Sequence, residues 1–154
     1  MEQWRHERPD LDVSPMGVIG RLNEASALIA RDRLAPVFAR FGLQSGEFDV
    51  LATLRRSGAP YALTPTELYE ATMVTSGAMT ARLDRLEKAG LIARAPHPED
   101  RRGVLVRLTD KGRELIDEAV TAHVENERRI LAGLTEKEQE VLIELLEKLI
   151  TAAK

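Results

Sequence analysis

Apolar residues recur along the chain mostly at three- and four-residue spacing, with two short interruptions of alternating pattern. After Ser14-Pro15, which reads as an N-cap with proline at the first helical position, Val18, Ile19, Leu22, Ala25, Ile29, Leu34, Val37, Phe38 and Phe41 mark one face of a long helix. Pro36 is expected to kink or break it, and Gly42 to cap its end. Ser45 is expected to cap the next helix, whose apolar face is Phe48, Leu51, Ala52 and Leu54 and whose stop is Ser57-Gly58-Ala59-Pro60. Thr64-Pro65-Thr66-Glu67 has the form of a capping box with proline at N1 and opens a short helix. Thr75-Ser76 starts another helix, with Met79, Leu83 and Leu86 at helical spacing and Gly90 as terminator.

The period then changes. Residues 91–95 and 104–108 read as two short strands around the polar turn 97–103, a hairpin with a charged tip. Thr109 caps a long helix that ends near Gly133, and Thr135-Glu136-Lys137-Glu138 is a second capping box that opens the last one. A tight helix–turn–helix followed by a hairpin is a winged-helix layout, in which the helix from Thr75 to Gly90 is the recognition helix and the hairpin the wing. The fold class is therefore mainly α with a small β-hairpin. Residues 1–12 form an N-terminal arm or extra helix, about 45–109 the DNA-binding lobe, and about 14–42 and 110–152 the dimerisation helices of a single domain spanning 13–154. Val141, Leu142, Ile143, Leu145, Leu146, Leu149 and Ile150 surround the last helix almost completely. A helix of that kind needs apolar partners on more than one side, and a symmetric homodimer supplies them.

Composition narrows the chemistry. The 154 residues contain no cysteine, which removes disulfides, thiolate metal sites and a catalytic thiol. His6, His97 and His123 stand in three separate elements without metal-ligand spacing. There is no Gly-rich phosphate loop, Gly-x-Ser-x-Gly or His-Glu-x-x-His. We expect no enzyme, cofactor or metal. No apolar run reaches membrane-spanning length and residues 1–9 do not resemble a signal peptide, so a cytoplasmic location is expected. The net charge of −3 hides an asymmetry: residues 1–74 carry −2, residues 75–109 carry +3 and residues 110–154 carry −4. A basic stripe within an acidic chain points to a local anion-binding surface, with nucleic acid as the candidate partner.

At about 100° per residue, Met79, Leu83 and Leu86 share the buried face of the recognition helix. Gly77, Ala81, Asp84, Arg85 and Lys88 point away from it. Thr75, Ser76, Gly77, Thr80 and Arg85 are the candidate DNA contacts on this helix: small residues admit close approach, and hydroxyls bond phosphates or base edges. In the wing, Arg102 is the candidate for a minor groove, where negative potential is concentrated. Asp100 is placed to hold its guanidinium, and Arg101 to reach a phosphate or pair internally. Arg82 sits on the shoulder of the core face, where an arginine needs an anion or a carboxylate. A salt bridge with Asp49 and an anionic ligand are both open.

Ser76-Gly77-Ala78-Met79-Thr80, then Arg82 through Leu91, then Asp100-Arg101-Arg102, then Leu108-Thr109 with Gly112, resemble the MarR family of bacterial transcriptional regulators from Val13 onward. The resemblance implies a dimeric winged helix that binds a palindromic operator in double-stranded DNA, commonly as a repressor. Trp4 with Arg8-Pro9-Asp10 is similar to the urate-responsive branch of that family. That likeness implies a site for a small anionic aromatic ligand at Trp4, Asp49, Arg82 and Arg94, with urate or a related purine as the ligand. A family member that responds to a phenolic ligand, and a winged-helix protein-interaction module that does not bind DNA, are the alternatives.

Overall fold

The structure is a computed structural model and describes residues 2–72, 76–96 and 103–154. In chain order the elements are α1 (Glu2–Glu7), α2 (Ser14–Leu28), a π-helical segment (Ile29–Leu34), α3 (Ala35–Ala39), α4 (Ser45–Arg56), β1 (Ala62–Leu63), α5 (Pro65–Thr72), α6 (Ser76–Lys88), β2 (Ile92–Pro96), β3 (Val104–Leu108), α7 (Asp110–Leu131) and α8 (Glu136–Ala152).

Three of the N-caps read from the sequence are made as expected, Thr109 at the start of α7 among them. Thr64 and Glu67 exchange hydrogen bonds at the start of α5, and Thr135 and Glu138 do the same at α8. Two others differ. Gln44, not Ser45, is the N-cap of α4, because the Glu47 carboxylate accepts the Gln44 backbone N–H at 2.8 Å and completes a capping box one residue earlier. Ser14 lies inside α2, and the Asp12 carboxylate accepts both its N–H and its hydroxyl at 3.0 Å. Pro36 does not break the helical path. The turn ahead of it widens into the π-helical segment, and Pro36 occupies the first turn of α3, where its missing N–H costs nothing. Asn126 of α7 donates to the Arg33 carbonyl at 2.9 Å and pins this irregular turn.

The wing hairpin is part of a three-stranded antiparallel sheet in the order β1-β3-β2. β1 is two residues long, too short to give a period, and pairs Ala62 with Arg107 and Leu63 with Val106. β2 begins at Ile92, one residue later than read from the sequence. The core lies between α4, α5, α6, the sheet and the first half of α7. Val50, Leu51, Leu54, Leu68, Leu86, Ile92, Val106 and Ile116 are sealed in it, and the Phe38 and Phe48 rings stack with centroids 4.2 Å apart. Met79, Leu83 and Leu86 form the buried face of α6, as their spacing predicts.

The end of α6 is tied directly to the start of α7. The last carbonyls of a helix need donors from outside it. Lys111 Nζ donates to the Ala89 carbonyl and Thr109 Oγ1 to the Gly90 carbonyl, both at 2.8 Å, while the Thr109 N–H donates to the Leu91 carbonyl at 3.1 Å. Thr109 Oγ1 also accepts the Gly112 N–H at 3.0 Å. The Leu91 carbonyl lies where a Cβ on Gly112 would be, so only glycine fits. On the other side of the core, Arg55 of α4 bridges to Asp117 of α7 at 2.7 Å.

α2 and α8 bury no residue at all. Met16, Val18, Ile19, Leu22, Val141, Ile143, Leu145 and Ile150 all stand exposed. The chain exposes 11149 Å², against roughly 7,800 Å² for a monomeric globular protein of this size. The excess is of the order that an obligate interface buries.

Gly112→Ala should destabilise the fold by about 3 kcal/mol or more, because the clash is with a backbone carbonyl that no rotamer change relieves. Urea unfolding of the variant and the wild type checks this.

Candidate functional site

α6 packs against α4, α5 and β2 and leaves its other side exposed. Ala81, Asp84, Arg85 and Lys88 are exposed, in agreement with the helical-wheel reading, and Thr80 is exposed as well. For Ser76 and Gly77 the described part is the helical backbone that opens α6. Thr75, Asp100, Arg101 and Arg102 lie outside the described residues. Arg85 is not a free side chain. Its Nε donates to Glu47 Oε1 at 2.6 Å and its Nη2 to Gln44 Oε1 at 3.2 Å. Glu47 is 5% exposed. One carboxylate therefore closes the capping box of α4 and anchors the recognition helix to it. This double role of Glu47 was missed in the sequence; the Gln44-x-x-Glu47 spacing was its one local signal.

The four residues that the resemblance assigns to a ligand are spread over four elements. Arg94 of β2 is engaged by α6: Nη2 donates to Asp84 at 2.6 Å, Nη1 to Glu87 at 2.5 Å, and its backbone N–H to Glu87 at 3.1 Å. The hydrogen bond it donates to Asp84, with those to Glu87, raises the pKa of this guanidinium against the cost of its partial burial. Trp4 lies on α1, which buries no residue, and is 49% exposed.

Asp49 and Arg82 do come near each other, on α4 and α6. They do not form an ion pair among the described residues. The Arg82 guanidinium lies against the bare Cα of Gly46, in space that any Cβ would fill, and its Nη1 is buried without a hydrogen-bond partner. Asp49 is exposed to solvent. Partial desolvation of its carboxyl beside α6 and α7 nevertheless raises its pKa, against the opposing electrostatic pull of Arg82, His123 and Arg56. A dominant salt bridge would have lowered it. Gly46 and His123 were not singled out as neighbours of this site, because nothing local in the sequence marks them.

Among the described residues, no group of histidines and carboxylates is arranged to hold a metal ion, and no helix is long and apolar enough to cross a membrane.

The winged-helix fold is shared with known regulators. Residues 41–103 match the model of the MarR family. The transcriptional regulator PecS of Dickeya dadantii is 52% identical over 123 residues, covering 80% of this chain and 74% of that protein. The chain belongs to the MarR family. The multiple antibiotic resistance protein MarR of Escherichia coli is 32% identical over 108 residues, 70% of each chain. Among solved structures, Sco3205, a MarR-family regulator from Streptomyces coelicolor in complex with DNA, superposes with a TM-score of 0.83 at 27% identity, covering 94% of both chains. An E. coli MarR mutant complexed with operator DNA gives 0.76 at 28% identity, covering 95% of this chain and 96% of that one. MarR-family regulators bind operator DNA and act as dimers, and these relatives and neighbours are transcriptional regulators, not enzymes. This member of the MarR family is a DNA-binding transcriptional regulator.

The raised pKa of Asp49 has a stability consequence. A carboxyl that binds its proton more tightly when folded loses stability as pH rises from the ordinary carboxylate range through the raised value. Asp49→Asn should therefore be more stable than the wild type at about pH 7, and the gain should vanish near about pH 3. Urea titrations at the two pH values check it; a stabilising Asp49–Arg82 salt bridge would give the opposite sign at neutral pH.

Proposed function

We propose that this protein is a homodimeric repressor that leaves a palindromic operator when a small anionic planar ligand, urate or a related purine, binds beside α6. Two chains join through α2, α7 and α8, which covers the exposed apolar face. Each α6 enters a major groove through Ser76, Gly77 and Thr80. Arg102, steadied by Asp100, enters the adjacent minor groove, and Arg101 meets the backbone. Arg85, clamped by Glu47, sets the angle of α6 and keeps one Nη group for a phosphate.

The observation that carries the ligand half of this reading is the buried, unpartnered Nη1 of Arg82 on the DNA-reading helix. A cation held there without a full set of acceptors favours an anion. Arg94 completes the site by exchanging a carboxylate partner for the ligand, and Trp4 by stacking on its ring. Because Arg82 belongs to α6, ligand binding is linked to the orientation of the recognition helix. Release follows if the ligand prefers the conformation that does not fit DNA.

Gel-shift titration against a duplex with half-sites about 10 base pairs apart, centre to centre, tests both halves. Binding should weaken steeply with salt, and millimolar urate should release the duplex. Arg102→Ala should weaken operator binding. Arg82→Ala should cost about 1.5–3 kcal/mol of urate binding, the worth of a charge-assisted hydrogen bond. Trp4 is the only tryptophan, so saturable quenching of its fluorescence reports the ligand directly. Operator binding indifferent to urate would remove the ligand assignment. For the dimer, Leu145→Glu should yield monomers by size-exclusion with light scattering, since it places a charge in the apolar interface.

A further inference from the structure

We propose that Arg94 acts in DNA binding as a mask: it neutralises Asp84, a carboxylate in the middle of the DNA-reading stripe of α6, and this pair sets the affinity of the protein for a duplex. The inference rests on α6 facing the groove, as proposed above, and not on the ligand.

Gly77, Ala81, Asp84 and Lys88 follow one another at spacings of four, three and four residues, which places them in one stripe along the helix. The stripe lies opposite Met79, Leu83 and Leu86, whose side chains are buried. Its small residues suit close approach to a groove. An aspartate among them does not, because it turns a negative charge toward a polyanion. The cations of α6 do little to offset it. Its three basic residues are Arg82, Arg85 and Lys88. Arg82 turns inward over Gly46, Arg85 is bound to the buried Glu47, and Lys88 is the last residue of the helix.

The compensating charge comes from β2. Arg94 Nη2 donates to Asp84 at 2.6 Å, and Nη1 donates to Glu87 at 2.5 Å. Glu87 also accepts the Arg94 backbone N–H at 3.1 Å, a bond that survives any change of the side chain. Asp84 has no such reserve: its hydrogen bond among the described residues is to the Arg94 guanidinium. The exposures of the pair show which group faces outward. The Asp84 side chain is 59% exposed and that of Arg94 is 30% exposed. The carboxylate is the outer partner and the guanidinium the sheltered one, the arrangement of a counter-charge and not of a cation reaching for phosphate.

Fluorescence anisotropy of the full chain with a labelled random-sequence duplex, over a salt series, tests this, because non-specific binding reads the electrostatic contribution. Arg94→Gln should bind roughly tenfold more weakly at about 0.1 M salt, the effect of about one charge at the interface. The loss should shrink as salt rises, since the repulsion from an exposed carboxylate is screened. Arg94→Lys keeps the charge and should keep most of the affinity. Asp84→Asn leaves the guanidinium charge uncompensated by its outer partner and should bind a few-fold more tightly. Arg94→Gln combined with Asp84→Asn has the wild-type net charge and should regain most of the lost affinity. An arginine that merely staples β2 to α6, or that touches phosphate itself, gives no such recovery. Ala81→Glu sets a bare carboxylate in the same stripe and should weaken binding whatever Arg94 does. Unchanged affinity in Arg94→Gln, a loss that Asp84→Asn does not recover, or Asp84→Asn no tighter than the wild type overturns the mask. If Ala81→Glu still weakens binding, the place of α6 at the duplex stands. If Ala81→Glu binds like the wild type, α6 does not face the duplex and the mask falls with it. Should Arg94→Gln fail to fold, Asp84→Asn alone, an exposed and nearly isosteric change, decides the matter.

Discussion

Gly112 has no side chain because the Leu91 carbonyl occupies the place of its Cβ. That contact brings the first turn of α7 onto the end of α6, where Thr109 and Lys111 supply donors to the Ala89, Gly90 and Leu91 carbonyls. The junction satisfies the open end of one helix with the open start of another. It also makes the recognition helix and the long helix behind it mechanically continuous. Arg55–Asp117 repeats the connection between α4 and α7. A change in how α7 packs is therefore felt at the DNA-reading surface without passing through a flexible linker.

The second constraint is electrostatic. The segment 75–109 is basic by composition, yet much of its described positive charge is already engaged. Arg94 is held by Asp84 and Glu87, and Arg85 by Glu47 and Gln44. These pairs add little direct attraction for a polyanion. They fix the direction of α6 against α4 and β2, which suits a surface that must present small groups to a groove at one angle. Arg82 differs from them. Its guanidinium turns inward over Gly46, and its buried Nη1 has no hydrogen-bond partner among the described residues.

The core is lopsided. It is dense around Phe48, Leu54, Leu86 and Ile116, while α2 and α8 run along the surface with their apolar residues uncovered. A single chain cannot wrap helices of this length around so small a lobe. Their exposed side chains account for an accessible area far above that of a monomer of this size.

The sequence by itself determined the order and type of the elements, because capping boxes, terminating glycines and hydrophobic periods act over a few residues. Thr64–Glu67, Thr135–Glu138 and the buried stripe Met79, Leu83 and Leu86 were legible for that reason. Arg82 stood out by its place on the helix wheel, with Asp49 as an open partner, whereas Trp4 and Arg94 were nameable only through a family likeness; the mutual placement of the four was not legible. Tertiary structure alone decided the rest. The strand β1 is recognisable only beside β3. The capping carboxylate Glu47 becomes a clamp only when Arg85 arrives from α6. The widened turn before Pro36 is fixed by Asn126, 93 residues away along the chain. Gly46 matters only because Arg82 lies on it, and the His123 ring is placed only by Phe38 and Phe48, against which it packs. Each depends on a partner far away in the chain, and no local period or cap encodes what a side chain will meet across the core.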